Sequence, residues 1–276
     1  VAEPLAERDT VVIEVPAPPK KKRRRWIGVL IALVVLVILL VVGFFVADAY
    51  AKTYAEGYVR ERIVEVLKLD PAAKVDVDLG TGSVLLQAAR GALDTVKVRV
   101  DTITFGDISG EAQITATKVP LDSSKPVDKL DIRVTISEEN VKKLSGFLSG
   151  LDLQSIELKD QLIRISTEFK LFVLTLPVSV DLNPTAKGGG INFDPVTILL
   201  GENEVSVADL RANPLVSSLA GDLLASRDFC VAGFLPQALT VDKVQVVGKT
   251  LVVGIDGDGT ALSDPALSTL GTCPAG

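Results

Sequence analysis

Between Trp26 and Ala47 the chain carries no charge and no hydroxyl, and Gly28 and Gly43 are the breaks in an otherwise continuous apolar run. As a helix this run extends about 33 Å at ~1.5 Å per residue, enough to cross a hydrocarbon core of about 30 Å. Six consecutive cations, Lys20 to Arg25, stand directly before it, whereas Asp48, Lys52 and Glu56 follow it in near balance. The positive-inside rule therefore places the N-terminus in the cytoplasm and the remainder outside it. A removable signal peptide is the competing reading, because Ala47-Asp48-Ala49 has the small-x-small form of a cleavage site. An h-region is normally about 7–15 residues, shorter than this run.

Val1 to Pro19 is rich in Pro, Glu and Ala and has no periodic apolar face, the signature of a disordered tail. Three segments follow: residues 1–25 as a disordered basic cytoplasmic tail, 26–47 as a transmembrane helix, and 48–276 as an exported domain. Residues 1–25 hold seven of the 29 cations and four of the 35 anions, leaving 22 against 31, a net charge of −9, for the rest. So acidic a surface argues against nucleic acid as a partner. The cation cluster reads as a topology signal and a contact for anionic headgroups. The two cysteines, Cys230 and Cys273, both fall in the exported part. A disulfide there would close a loop of about 40 residues and contribute on the order of 4 kcal/mol; a free pair is the alternative.

From Ala49 to Leu69 the pattern continues as a helix, with Val59, Ile63, Val66 and Leu67 spaced as a buried face, and Pro71 ends it. Tyr50, Tyr54 and Tyr58 form a separate stripe at i, i+4, i+8 close to the apolar run, as membrane-interface anchors do. Beyond Pro71 the period changes to two. Val96, Val98 and Val100 alternate with charged residues, as do Leu130, Ile132, Val134 and Ile136, and the longest alternation runs from Phe172 to Leu182. Pro177 in the last suggests an edge position or a bulge. Further strands are expected at 75–79, 110–119, 162–169 and 191–199. Asp242–Val247 and Thr250–Ile255 flank Gly248-Lys249, a pair suited to a two-residue type II′ hairpin. Helices are expected from Glu138 to about Leu148, capped by Ser137, and from Pro214 to about Ser226, capped by Asn213 with Val216, Leu219, Leu223 and Leu224 inward. The exported part thus reads as one mostly antiparallel α+β domain.

The chain has no histidine. That removes Ser-His-Asp and Cys-His catalysis and disfavours the usual zinc and haem sites, and no serine stands three residues before a lysine. Gly248-Lys249-Thr250 lacks the glycine a phosphate-binding loop needs at position 243, which is Lys243. Asp256-Gly257-Asp258-Gly259 lacks the remaining calcium ligands and reads as a solvated strand end. Gly188-Gly189-Gly190 reads as a turn. The carboxylate pairs Glu138 and Glu139, and Asp76 and Asp78, carry nothing that marks them above surface charge. No enzyme, metal or cofactor is expected.

The stretch Gly82-Ser83-Val84-Leu85-Leu86-Gln87, with Gly91 four residues on and then Val96-Lys97-Val98, resembles an actinobacterial family of membrane-anchored exported domains. Cys230, Leu235-Pro236, Val244-x-Val246 and Leu251-x-Val253 agree with that resemblance, which covers about residues 45–260. The best-understood member of the family binds phospholipid and supports lipomannan elongation. Members commonly carry Pro-Phe-Leu after the first glycine, where this chain has Ser83 and Val84. The resemblance implies a tubular lipid-binding-like fold, a strongly curved, mostly antiparallel sheet wrapping a long helix and leaving an apolar groove.

The expected function is then extracytoplasmic binding or transfer of a phospholipid or glycolipid in support of the cell envelope, by a single-pass plasma-membrane protein. Val84, Leu85, Leu86, Phe105, Phe169 and Phe172 are the candidate lining residues. Membrane lipid is the expected partner. The alternative is a non-catalytic structural or assembly protein whose partner is another envelope protein.

Overall fold

The computed structural model describes residues 23–66, 69–70, 73–105, 108–143, 153–171, 174–201, 203–215 and 224–273, with 23–28, 66, 105, 153, 169–171 and 174–176 described by their backbone. It divides into two compact units, Val1–Ala47 and Asp48–Gly276.

The first helix, α1 (Arg23–Val66), contains the whole apolar run. Its side chains from Val29 to Val46 are exposed on every side. The helix is long and apolar enough to cross a membrane. After Ala47 its character changes. Ala55, Val59, Ile63 and Val64 pack against the core of the second unit, while Tyr50, Tyr54 and Tyr58 stay exposed.

The second unit continues with β1 (Val75–Asp78), α2 (Val84–Ala89), β2 (Ala92–Phe105), β3 (Ile108–Pro120), β4 (Lys129–Ser137) and α3 (Glu138–Lys142). β5 (Leu153–Lys159), β6 (Leu162–Leu171), β7 (Leu174–Lys187), β8 (Gly190–Leu200), β9 (Asn203–Ser206) and α4 (Val207–Ala212) follow. β10 (Arg227–Phe229), β11 (Thr240–Val247) and β12 (Thr250–Asp256) complete it. The strands form two six-stranded antiparallel sheets. One has the order β1-β2-β3-β4-β12-β11, and the other β10-β8-β7-β6-β5 with β9 paired to β8. β11 lies against β7 and β8, and a bridge joins Val241 to Gly189.

Register explains why the first sheet has one dry face. Val77, Val98, Ile114, Ile132, Ile255 and Val241 stand in one cross-strand row, and Val75, Val100, Ala112, Val134, Val253 and Val244 in the next. Most of these are buried. On the opposite face the same register aligns Asp76, Arg99, Gln113 and Arg133. A period of two in sequence thus becomes a bilayered sheet, apolar inside and charged outside.

The Gly248-Lys249 hairpin is as expected: Val247 pairs with Thr250, and Gly248 has φ +59°. Gly188 and Gly189, with φ +59° and +77°, turn β7 into β8. Pro177 lies inside the second sheet, on a strand flanked by β6 and β8, but just past Val178–Leu200, the last β7–β8 pair. Its missing N–H therefore costs no ladder bond. Ser137 precedes α3 with extended backbone but makes no side-chain cap bond; the expected extension to Leu148 lies outside the described residues. Asn213 Oδ1 accepts from Leu215 N at 3.1 Å, and Pro214, Leu215 and Leu224 are helical. Leu224 is buried, and Val216, Leu219 and Leu223 lie outside the described residues.

Cys230 and Cys273 form a disulfide with Cα atoms 5.8 Å apart. It fastens the C-terminal tail beside Leu235, whose carbonyl accepts from Gly271 N at 2.9 Å.

Candidate functional site

Two places bear on function: the motif from Gly82 to Asp94, and the apolar face of the second sheet.

Ser83 is the N-cap of α2, its Oγ accepting from Leu86 N, and the same hydroxyl donates to Asp48 Oδ1 at 2.8 Å. Asp48 Oδ1 also accepts from Leu85 N at 2.9 Å. These bonds hold the Asp48 carboxyl below the usual carboxylate range, the Leu85 amide being the largest cause. Gln87 is almost fully buried, and its Oε1 accepts from Asp94 N at 2.7 Å, tying α2 to the start of β2. Gly82 must be glycine for the same reason, because a Cβ there would stand 2.7 Å from Gln87 Nε2. Gly91, with φ +82°, ends the helix in the left-handed conformation as its N–H reaches Ala88 O. The Gly-Ser-x-x-x-Gln-x-x-x-Gly spacing is thus the specification of one short helix and its two ties.

Further along, Lys52 Nζ donates to Gly80 O and Arg60 Nε to Val75 O, so α1 covers the outer edge of β1. Lys52 also pairs with Glu56 and Asp78.

In the second sheet, Leu158, Ile163 and Leu182 occupy one row, and Ile156, Ile165, Val180 and Ile198 the next. Thr167, Val178 and Leu200 come third, and Phe169 and Leu176 are paired beyond them. Burial is uneven across these rows. Leu158, Ile163 and Ile156 are buried, Leu182, Ile165, Val178, Val180 and Ile198 are half-buried, and Leu200, at the end of β8, is exposed. The apolar face is therefore continuous with the core on β5 and only partly covered on β6, β7 and β8. The other face of the same strands is polar: Arg164 and Asp181 form a two-pronged pair at 2.7 Å and 2.7 Å, and the Ser166 and Ser179 hydroxyls meet at 2.8 Å.

The expected lining residues are spread out. Val84 is buried in the core, whereas Leu85 and Leu86 are exposed on α2. Phe105 ends β2, at the opposite end of that strand from the α2 tie at Asp94, a separation of about 36 Å at ~3.3 Å per residue. Phe169 belongs to β6, and Phe172 lies outside the described residues. Sequence reasoning missed Ile165, Val178, Val180 and Ile198, although their alternation with polar residues was visible.

A shallow pocket of about 270 Å³ opens on the charged face of the first sheet, lined by groups such as Asp101, Ser109, Glu111, Thr135 and Asn140. Such walls suit water rather than an acyl chain. Asp256 and Asp258 serve the backbone: Asp258 Oδ1 accepts from Leu130 N at 2.7 Å and Asp256 Oδ1 from Asp258 N at 2.7 Å. Among the described residues no group of three His, Cys, Asp or Glu side chains is placed to hold a metal ion.

Two antiparallel sheets about one apolar core, with a face of the second sheet only partly covered, define an α+β domain with apolar surface left over. The chain belongs to the LmeA-like phospholipid-binding family, whose model matches residues 46–255. No curated protein and no solved structure matches it.

Proposed function

We propose that this protein is anchored by Trp26–Ala47 with its N-terminus in the cytoplasm, and that Asp48–Gly276 binds phospholipid or glycolipid outside it in support of the cell envelope. The observation that carries the reading is the partly covered apolar face on β6, β7 and β8, in a chain of a phospholipid-binding family. Burying an acyl chain contributes about 0.8 kcal/mol per methylene. Three rows of apolar side chains therefore supply affinity without any particular polar contact. Phe169, paired with Leu176, would extend the same surface. The packing of Ala55, Val59, Ile63 and Val64 into the core supports a fold in which the sheets wrap the extracytoplasmic part of α1. We read the protein as a carrier or holder, not an enzyme; the missing histidine removes the commonest acid-base group.

Native mass spectrometry of the full chain purified from its own membrane tests this. The expected result is a bound lipid mass that falls at least tenfold in Val180→Glu and Ile198→Glu. A lipid-free wild type that takes up no phospholipid would overturn the reading.

A further inference from the structure

The end of the first sheet nearest Asp48 is edged with exposed leucine. Leu85 and Leu86 on α2 are 36% and 55% exposed, Leu121 56% and Leu262 46%. They sit on three neighbouring turns joined by backbone bonds. Leu121 N donates to Gly91 O at 3.0 Å, just past α2, and Ser263 donates to Ser123 O through both its N–H and its hydroxyl at 3.0 Å. Register confirms that these turns share one end: Ala92 pairs with Pro120, Thr117 with Lys129, and Asp131 with Asp256. Single exposed leucines are ordinary on a protein surface. Four on adjoining turns form an apolar rim, the kind of patch that has a partner.

The geometry points to a phospholipid bilayer surface as that partner, with α2 and the turns at Leu121 and Leu262 seated at the headgroup boundary. This rests on the anchor proposed above. The occupant follows from the chain itself. Asp48 is joined by a peptide bond to Ala47, where the apolar run ends, and the Asp48 carboxylate holds both Ser83 and Leu85. α2 therefore stands one side-chain hydrogen bond from the point at which the chain leaves the hydrocarbon. Depth is limited by the same bonds, since Val84 and Gln87 on the inner side of α2 are buried in the protein. The exposed cations of the rim are each beside an acid, Arg90 with Asp94 at 3.4 Å and Lys125 with Asp122 at 4.0 Å. Contact is accordingly driven by leucine and does not require anionic lipid.

Trp26 is the single tryptophan, so Trp26→Phe leaves a silent full chain into which one reporter can be placed. Leu86→Trp and Leu262→Trp report on the rim. Val247→Trp reports on the opposite end, because Val247 pairs with Thr250 and Thr250 with Ser137, the far end of β4. That is about 27 Å away at ~3.4 Å per residue. Each variant is reconstituted in phosphatidylcholine vesicles with and without brominated acyl chains, and flotation is recorded alongside fluorescence. We expect all three to float, with emission at positions 86 and 262 quenched at least twofold and position 247 unaffected. Flotation with no quenching at 86 and 262, or with equal quenching at 247, overturns the rim and leaves the anchor standing. Failure to float overturns both, whatever mass spectrometry says of bound lipid.

Discussion

The Glu138 carboxylate accepts a hydrogen bond from the backbone N–H of Leu158 at 3.0 Å, joining the helix that follows the first sheet to the edge strand of the second. The same oxygen accepts from Lys249 at 2.9 Å, at the β11–β12 hairpin, and the other oxygen from Lys142 at 3.2 Å. One partly buried anion thus collects three donors and blocks an N–H that would otherwise template strand addition.

Those donors, Lys249 first, lower the Glu138 pKa from 4.5 to about 2. A folded-state pKa depressed in this way stabilises the protein fully above about pH 4.5, and the contribution is lost as pH falls from there through about 2. Thermal unfolding of wild type and Glu138→Gln should therefore differ by a constant amount between pH 6 and 7 and converge towards pH 2. Parallel curves down to pH 2 would show that the carboxylate has no such role.

Gly82 and Gln87 make a second, uncharged test. Gly82→Ala drives a methyl against a side chain that cannot retreat without releasing Asp94 N. Gln87→Leu keeps the volume but orphans that N–H. Each should cost about 1–3 kcal/mol in chemical unfolding, and the double variant less than the sum, because both act on one contact.

Arg164 and Asp181 form the best-buried ion pair among the described residues, with side chains 23% and 7% exposed. Removing one partner strands the other, so Asp181→Ala should cost about 3 kcal/mol. Replacing both, as Arg164→Met with Asp181→Leu, should return most of it. Equal losses in the single and double variants would mean that shape rather than charge matters there.

The Cys230–Cys273 disulfide closes the tail onto the domain. Cys230→Ser with Cys273→Ser should lose about 4 kcal/mol and roughly 10 °C in melting temperature, with a reductant reproducing the effect in wild type only.

The strands that alternate without interruption were legible, and so were the hairpins at Gly248 and Gly188. β5 was not, because a register shift between Leu153 and Ser155 breaks its alternation, and the Asp160-Gln161 turn that closes it has φ +52° and +66° at residues that do not advertise it. α2 and α4 are six residues each, too short for a helical period to show. The candidate site was half legible. Leu85 and Leu86 were singled out as apolar, yet their exposure depends on Asp48, Ser83 and Gln87 holding the other side of α2 inward. Phe105 looked equivalent to Val84 in sequence and stands at the other end of β2.

Sequence alone determined the apolar helix, the absence of histidine chemistry, the pair of cysteines and the inside-outside alternation of the long strands. These depend on composition and on short-range periodicity, which the backbone geometry of helix and strand converts directly into faces. Tertiary structure decided how the strands divide between two sheets, that β12 pairs with β4, and which apolar face is left only partly covered. The β12–β4 pairing depends on register between residues more than 100 positions apart, where the free energy lies in the summed fit of whole rows, and no local pattern encodes that sum. The run from Trp26 to Ala47 was legible as a helix long and apolar enough to cross a membrane; that Asp48 ties Ser83 and Leu85 was not, because the three meet only in the folded domain.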